Sequence, residues 1–280
     1  SCCSCCSCCS GSCCCWCSQA CLLDLRLPLM AIATYRRLSG NVGLLQLDDG
    51  QANAFGHQML KEASEALQAA EKDLLACEGA LVLAGNKKLL SSGFDLKVMM
   101  KGPQEAEALI QAGAAFVEQL ALFPRPVVVA ATGHAVALGA LVLLTGDYRI
   151  GPATVGGKPL KVGLNETSNG MRMPDFFAEG ARYTLAPQYL RECLALGLIY
   201  DATRAQVVGF LNEVVPEGKV LETAQAKAEE LASWCKHPAF IQNKKLVRRP
   251  LDEVIQRGRA EQKPEDHLTW FAKQQKSSKL

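Results

Sequence analysis

The sequence predicts an α/β fold in which helices pack against parallel strands, and three observations carry that expectation. Short continuous apolar runs, GALVLA at Gly79–Ala84 and PVVVAA at Pro126–Ala131, have the length of strands buried on both faces. Longer stretches at His57–Leu75 and Gln104–Leu122 carry apolar residues every three or four positions, the spacing of amphipathic helices. These elements alternate along the chain, the order that produces parallel strands joined by helical crossovers.

Taken in order, Val42–Leu47 alternates loosely and is expected to form a strand, ended by the turn-rich DDGQAN. His57–Leu75 places Leu60, Ala63, Leu67, Ala70 and Leu74 on one helical face. GALVLA follows and is stopped by Gly85-Asn86, and Gln104–Leu122 returns to helical spacing. Pro126–Gly146, PVVVAATGHAVALGALVLLTG, is nearly long enough to span a bilayer. Thr132, Gly133, His134 and Gly139 instead divide it into a strand, a loop and a short buried helix, and no second span or flanking positive cluster accompanies it. From Pro187 the chain turns helical and more charged. Gly218–Cys235 and Pro250–Lys276 read as amphipathic helices of an appendix, with apolar stripes that suit a subunit contact as readily as the core.

Bulk properties bound the function. The 280 residues, 49% hydrophobic and 21% charged, suit one large domain or two small ones. A net charge of +2 gives no reason to expect nucleic acid or an anionic membrane as a partner. There is no P-loop, no GxGxxG after a strand and no HExxH. Of the 14 cysteines, 11 crowd into Ser1–Cys21, leaving Cys77, Cys193 and Cys235. A secreted disulfide scaffold spreads its cysteines through the fold, so the body of the chain reads as that of a reducing compartment. Residues 1–29 are expected to be a low-complexity Cys/Ser-rich extension, the alternative being a metal cluster. The sequence begins with Ser rather than Met, which suggests processing or a fragment, with Met30 as a candidate start. The last three residues, Ser278-Lys279-Leu280, match a peroxisomal address read by an import receptor; a chance tripeptide in a polar tail is the alternative. Peroxisomes oxidise fatty acyl thioesters, which narrows the search for a substrate.

Two loops and one carboxylate carry the chemistry. Ser91-Ser92-Gly93-Phe94-Asp95-Leu96 and Gly133-His134-Ala135-Val136-Ala137-Leu138-Gly139 are both rich in small residues, and each follows a buried strand. The second feeds an apolar helix, so free N–H groups and the helix dipole point at the loop. Side by side, two such loops could aim two backbone N–H groups at one oxygen, an oxyanion hole. In KVGLNETSNGM, Glu166 lies near Val162, Leu164 and Met171 with no partner acid or histidine close in sequence. It is either a surface acid or a base whose apolar setting raises its pKa. Asp175 offers a second acid or a helix cap, and His134 faces either the core or a ligand. Ser91 and Ser92 fix the turn more plausibly than they attack a thioester, since no His–Asp arrangement supports a nucleophile.

Together the three segments resemble the crotonase superfamily, the enoyl-CoA hydratase/isomerase family, over about Thr34–Phe271. The resemblance implies a crotonase-like ββα spiral core at 30–215 and a C-terminal helical oligomerisation region at 216–280. It implies assembly as a homotrimer or homohexamer. SSGFDLK is similar to the first oxyanion loop, which makes Phe94 a backbone N–H donor. GHAVALGALVLLTGDYRI is similar to the second, with Leu138 as donor and Asp147 closing the motif. KVGLNETSNGM is similar to the segment that carries the catalytic glutamate of the isomerase branch, here Glu166. Ser92, Gly93, Asp95, Lys97, Ala137 and Gly139 would then surround an acyl-CoA thioester. Lys97 would meet a CoA phosphate or simply remain solvated.

Two departures bear on the reaction. Where the hydratases of the family have three glycines, this chain has Ala137-Leu138-Gly139, and the first of their two glutamates falls at Leu141. Hydration needs two proton-handling groups, whereas moving a double bond from the 3- to the 2-position needs one base and a held oxyanion. The expectation is a peroxisomal Δ3,Δ2-enoyl-CoA isomerase, with an enoyl-CoA hydratase or a non-catalytic acyl-CoA-binding paralogue as alternatives. No metal or redox cofactor is expected, and CoA enters only as part of the substrate.

Overall fold

The computed structural model describes residues 31–38, 40–234 and 237–261. The extension at 1–29, Met30, Cys235, the part of the expected last helix beyond 261 and the terminal Ser278-Lys279-Leu280 lie outside the described residues.

Among the described residues, six strands form the main sheet in the order β1 (Ala33–Arg37), β2 (Val42–Leu47), β3 (Ala80–Ala84), β5 (Val127–Ala130), β7 (Tyr148–Pro152) and β12 (Glu213–Val215). Only the β1–β2 pair is antiparallel; the rest run parallel. A second sheet is ordered β11 (Ile199–Tyr200), β10 (Val162–Gly163), β6 (His134–Val136) and β4 (Leu89–Ser91), and a small hairpin joins β8 (Thr154–Val155) to β9 (Lys158–Pro159). The helices are α1 (His57–Ala76), α2 (Leu96–Met99), α3 (Pro103–Ala121) and α4 (Leu138–Leu144), followed by α5 (Asp175–Thr184), α6 (Ala202–Val208), α7 (Val220–Trp234) and α8 (Pro238–Glu261).

The apolar runs are continuous because both faces of the main sheet are covered. Successive side chains alternate between faces. Leu81, Leu83, Val127 and Val129 pack with α1 and α3, while Ala80, Val82, Ala84, Val128 and Ala130 face α7. The α7 face is built from small residues on both sides, with Ala224, Ala228 and Ala232 buried against the strands. The helical region after residue 215 therefore does not begin as an appendix: α7 is one layer of the core. Helix α8 packs on α5 and α3 and includes Pro250 in its interior, where the sequence suggested a helix start. That proline forfeits a helical hydrogen bond. Anchors before it hold the helix: Lys244 Nζ pairs with Asp147 at 2.5 Å, and Arg248 donates to the Thr145 carbonyl at 2.9 Å. The stretch that mimicked a membrane span divides into the expected strand β5 and helix α4, but the expected loop between them holds a second short strand, β6, which pairs with β4 and β10; among the described residues no helix is long and apolar enough to cross a membrane.

The link between the two sheets is Asn53, which is fully buried with φ +48°. Its Nδ2 donates to the Leu47, Leu89 and Leu90 carbonyls at 2.9, 3.2 and 3.2 Å, and its Oδ1 accepts from Asp49 N at 3.0 Å. Its own carbonyl accepts the Ser91 hydroxyl at 2.6 Å. One amide thus joins the end of β2 to β4, the strand that launches the first loop. Asn53→Ala should lower unfolding free energy by about 3 kcal/mol or more, since it strands several buried polar groups at once. A urea titration checks it.

Candidate active site

The first loop is shaped by hydrogen bonds from its own residues. Ser91 Oγ accepts from Gly93 N at 3.0 Å, and Gly93 takes φ +99°, which favours glycine. Phe55 straddles Phe94: its N–H donates to the Gly93 carbonyl at 2.8 Å, and its carbonyl accepts from Asp95 N at 3.1 Å. This leaves the Phe94 N–H facing the other way, with no acceptor among the described residues. Asp95 then caps α2, its Oδ1 accepting from Lys97 N at 2.9 Å. Ser91 and Ser92 fix the turn, as expected: Ser92 N donates to the Ala52 carbonyl at 3.1 Å.

The second loop leaves β6 through Ala137, which holds φ +50° and ψ −127°, a conformation that side-chain-bearing residues rarely adopt. Its N–H donates to the Gly163 carbonyl at 3.0 Å, and its carbonyl receives Ala140 N and Leu141 N. The turn frees Leu138 N–H at the start of α4, again with no acceptor among the described residues. Ala137→Gly should relieve strain of about 1–3 kcal/mol at an entropic cost of about 0.5–1. The expected net is a stabilisation of about 1 kcal/mol, seen as a higher denaturant midpoint.

The two loops touch. A Cβ on Gly93 would lie 2.8 Å from Ala137 Cβ and 3.4 Å from Leu138 N, and a Cβ on Gly139 would fall on the Ser91 carbonyl oxygen. Two amides without an acceptor among the described residues thus sit on adjoining backbone. The Leu138 side chain does not intrude on the ligand space. It is 1% exposed and turns toward Gly113 of α3, where a Cβ would meet Leu138 Cδ2 at 3.2 Å and the Phe94 ring at 2.6 Å. Gly113, which sequence reading passed over, makes room for both side chains.

A cavity of about 330 Å³ opens in front of the loops. Ser92, Phe94, Asp95, Lys97, Ala137 and Glu166 line it, whereas Gly93, Leu138 and Gly139 shape it from behind. Lys97 is exposed at its mouth. Its inner wall is apolar, with Met99, Ile110, Leu141 and Phe177 each under 5% exposed. The position that would carry a second glutamate is therefore a hydrocarbon surface.

Glu166 reaches the cavity from the segment after β10. Strand β10 pairs with β6, so the chain beyond Gly163 is delivered beside the second loop. Glu166 opens a 3₁₀ turn, Thr167–Asn169, tied down by Thr167 Oγ1 donating to the Leu194 carbonyl at 3.1 Å. Its Oε2 is buried with no hydrogen-bond partner among the described residues, and the same holds for Oδ1 of Asn165 next to it. Burial, with no neighbouring charge to offset it, pushes the Glu166 carboxyl up from 4.5 to about 7. A base poised near neutrality can both take and return a proton.

The other candidates fall elsewhere. Asp175 neither joins the cavity nor caps a helix: Pro174 holds the cap position and Asp175 is the first residue of α5, exposed and paired with Arg172 at 2.8 Å. His134 lies half-buried on β6, its Nδ1 accepting from Lys161 N at 3.1 Å, and it serves the sheet rather than the core or a ligand. Asp147 accepts from Val127 N at 2.9 Å and anchors α8 through Lys244. Asn165 was missed: a polar residue beside a glutamate in a loop carries no distinctive spacing.

Known proteins resemble this chain in sequence and fold. A family model described as enoyl-CoA hydratase/isomerase matches residues 37–279. A Rhizobium meliloti protein named as a probable enoyl-CoA hydratase is 28% identical over 220 residues, 78% of this chain and 82% of its own length. A Mycobacterium tuberculosis protein, named as an enoyl-CoA isomerase in one structure and as a probable enoyl-CoA hydratase in another, superposes with a TM-score of 0.75 at 29% identity in the first, covering 81% of this chain and 96% of that one. An enoyl-CoA hydratase structure from Mycobacterium marinum gives 0.74 at 32% identity, with 81% and 96% covered. With its two adjoining backbone loops and crotonase-like α/β fold, the chain belongs to the enoyl-CoA hydratase/isomerase family.

Proposed function

We propose that this chain is a Δ3,Δ2-enoyl-CoA isomerase acting on unsaturated acyl-CoA thioesters. One observation carries the reading: Glu166 borders the cavity with its Oε2 buried and without a hydrogen-bond partner among the described residues, and the wall that would hold a second acid is Leu141. Glu166 takes a proton from C2 of a 3-enoyl thioester. The electrons pass to the thioester oxygen, which accepts hydrogen bonds from the Phe94 and Leu138 N–H groups. The same carboxyl returns the proton at C4, leaving the double bond at the 2-position. No step requires water, which accords with an apolar inner wall.

The second reading is an enoyl-CoA hydratase, favoured by the names of several relatives, including the Rhizobium meliloti protein. Hydration asks one group to activate water and another to handle the α-proton, and Leu141 can do neither. Purified protein supplied in parallel with a 3-enoyl-CoA and a 2-enoyl-CoA separates the two. Isomerisation of the first with slow hydration of the second supports the proposal. Rapid formation of a 3-hydroxy product from the second replaces it with the hydratase reading.

A further inference from the structure

The inner wall of the cavity is thin. Behind Leu141 and Phe177, which face the cavity, lies a second void of about 10 Å³, and the same two side chains border it. Its other walls are apolar for the most part: Val117 of α3, Leu144 of α4, Phe176 and Gly180 of α5, and Leu251 of α8. Arg248 and Thr145 also border it, but the Arg248 guanidinium is engaged with the Thr145 carbonyl at 2.9 Å, and the Thr145 hydroxyl with the Val142 carbonyl at 2.7 Å. A gap of this size is at or below what one water needs, roughly 10–15 Å³, and has few polar partners to offer one. Its apolar lining lacks contacts that a hydrocarbon tail could restore. Gly180 widens it: a Cβ there would meet only Leu251 Cδ1, at 3.7 Å.

Exposure gives the direction in which a substrate would lie. Leu96 at the mouth is 55% exposed, while Leu141 and Phe177 at the inner end are 3%. The amides and Glu166 lie along the cavity, so an acyl tail that runs inward past the reacting carbons ends against these two side chains. Phe177 is held by ring contacts with Phe176 at 4.2 Å and Phe94 at 6.3 Å.

We infer that Leu141 and Phe177 form a partition that sets the acyl chain length the site accepts, and that the void behind them is the path a longer tail takes when the partition is opened. This rests on the acyl-CoA reading of the cavity but not on the reaction assigned to it. Calorimetric binding of saturated acyl-CoA thioesters of 4, 8, 12 and 16 carbons tests it without turnover, using the whole chain. Wild-type affinity should climb by about fourfold per newly buried methylene and then stop climbing once the tail meets the partition. Phe177→Ala should move that break to longer chains and raise the affinity ratio of the 12- to the 8-carbon ligand by about tenfold or more. Adding Gly180→Val should return the break to its original place by filling the void. Phe177→Leu, a milder truncation, is read in parallel in case the alanine variant does not fold. An unchanged chain-length profile in the folded variants, or a gain that survives Gly180→Val, overturns the inference while leaving the acyl-CoA reading intact. Failure of every thioester to bind wild-type protein overturns both.

Discussion

Replacing Glu166 with glutamine is expected to lower turnover of a 3-enoyl-CoA by about 10²–10⁴-fold and, above neutral pH, to make the protein more stable. The two effects share one cause. The carboxyl Oε2 is buried with no partner among the described residues, and burial raises the pKa from 4.5 to about 7. Between those pH values the folded chain retains a proton that the unfolded chain has released, so stability falls as pH rises from about 4.5 to 7 and stays reduced beyond. Glutamine, neutral and nearly isosteric, escapes that loss. The gain at pH 8 is at most about 3 kcal/mol and fades as pH is lowered toward 4.5. Thermal unfolding of both proteins at pH 5 and pH 8 reads the sign directly. A glutamine variant as active as wild type, or one less stable at pH 8, would show that Glu166 is an ordinary loop acid.

Gly139→Ala should have the next largest effect, and through geometry rather than charge. A Cβ at this position falls on the Ser91 carbonyl oxygen and lies 2.9 Å from the Ser91 carbonyl carbon, both backbone atoms of the strand that launches the first loop. Nothing flexible can yield, so the two loops must part. Parting them separates the Phe94 and Leu138 N–H groups proposed to hold the thioester oxygen, and loss of one such donor typically lowers turnover by about 10²–10³. Overpacking should also remove about 1–3 kcal/mol of stability. Glu166 is untouched, so the pH midpoint of the residual activity should stay near 7 while its plateau drops. Gly180→Ala is the control. It lies inside α5 with open space around it, and alanine there should stabilise the helix by about 0.5–1 kcal/mol.

The parts of the fold that were legible from the residues are those in which a long stretch keeps one period. α1 and α3 carry full helical stripes, and β3 and β5 are apolar throughout because helices cover both their faces. The second sheet was invisible for the opposite reason: its strands are two or three residues long, too short to show alternation, yet they carry both loops of the site. β1 escaped because ATYRR is an edge strand with charged residues, its Tyr35 and Arg37 paired with Asp73. α7 resembled a peripheral helix because its buried stripe is largely alanine, a weak hydrophobic signal that nonetheless permits close approach to Ala80, Ala84 and Ala130.

The candidate site was named through family likeness rather than spacing. An oxyanion hole is a property of backbone direction, and nothing in the side chains of Phe94 or Leu138 advertises a free N–H. The supports were missed for the same reason. Asn53 looks like one more turn residue until its amide is seen joining two sheets. The isolated Gly113 within a helical pattern was a usable signal, since glycine in a helix interior usually marks a close approach.

The most direct test is the pH dependence of kcat/KM for a 3-enoyl-CoA, which reports the free enzyme's essential ionisation. A lone buried carboxylate acting as base predicts a tenfold rise per pH unit that levels off near pH 7, with no such rise in the residual activity of Glu166→Gln. A profile already flat from pH 5 upward, or one that the glutamine variant reproduces, would contradict it.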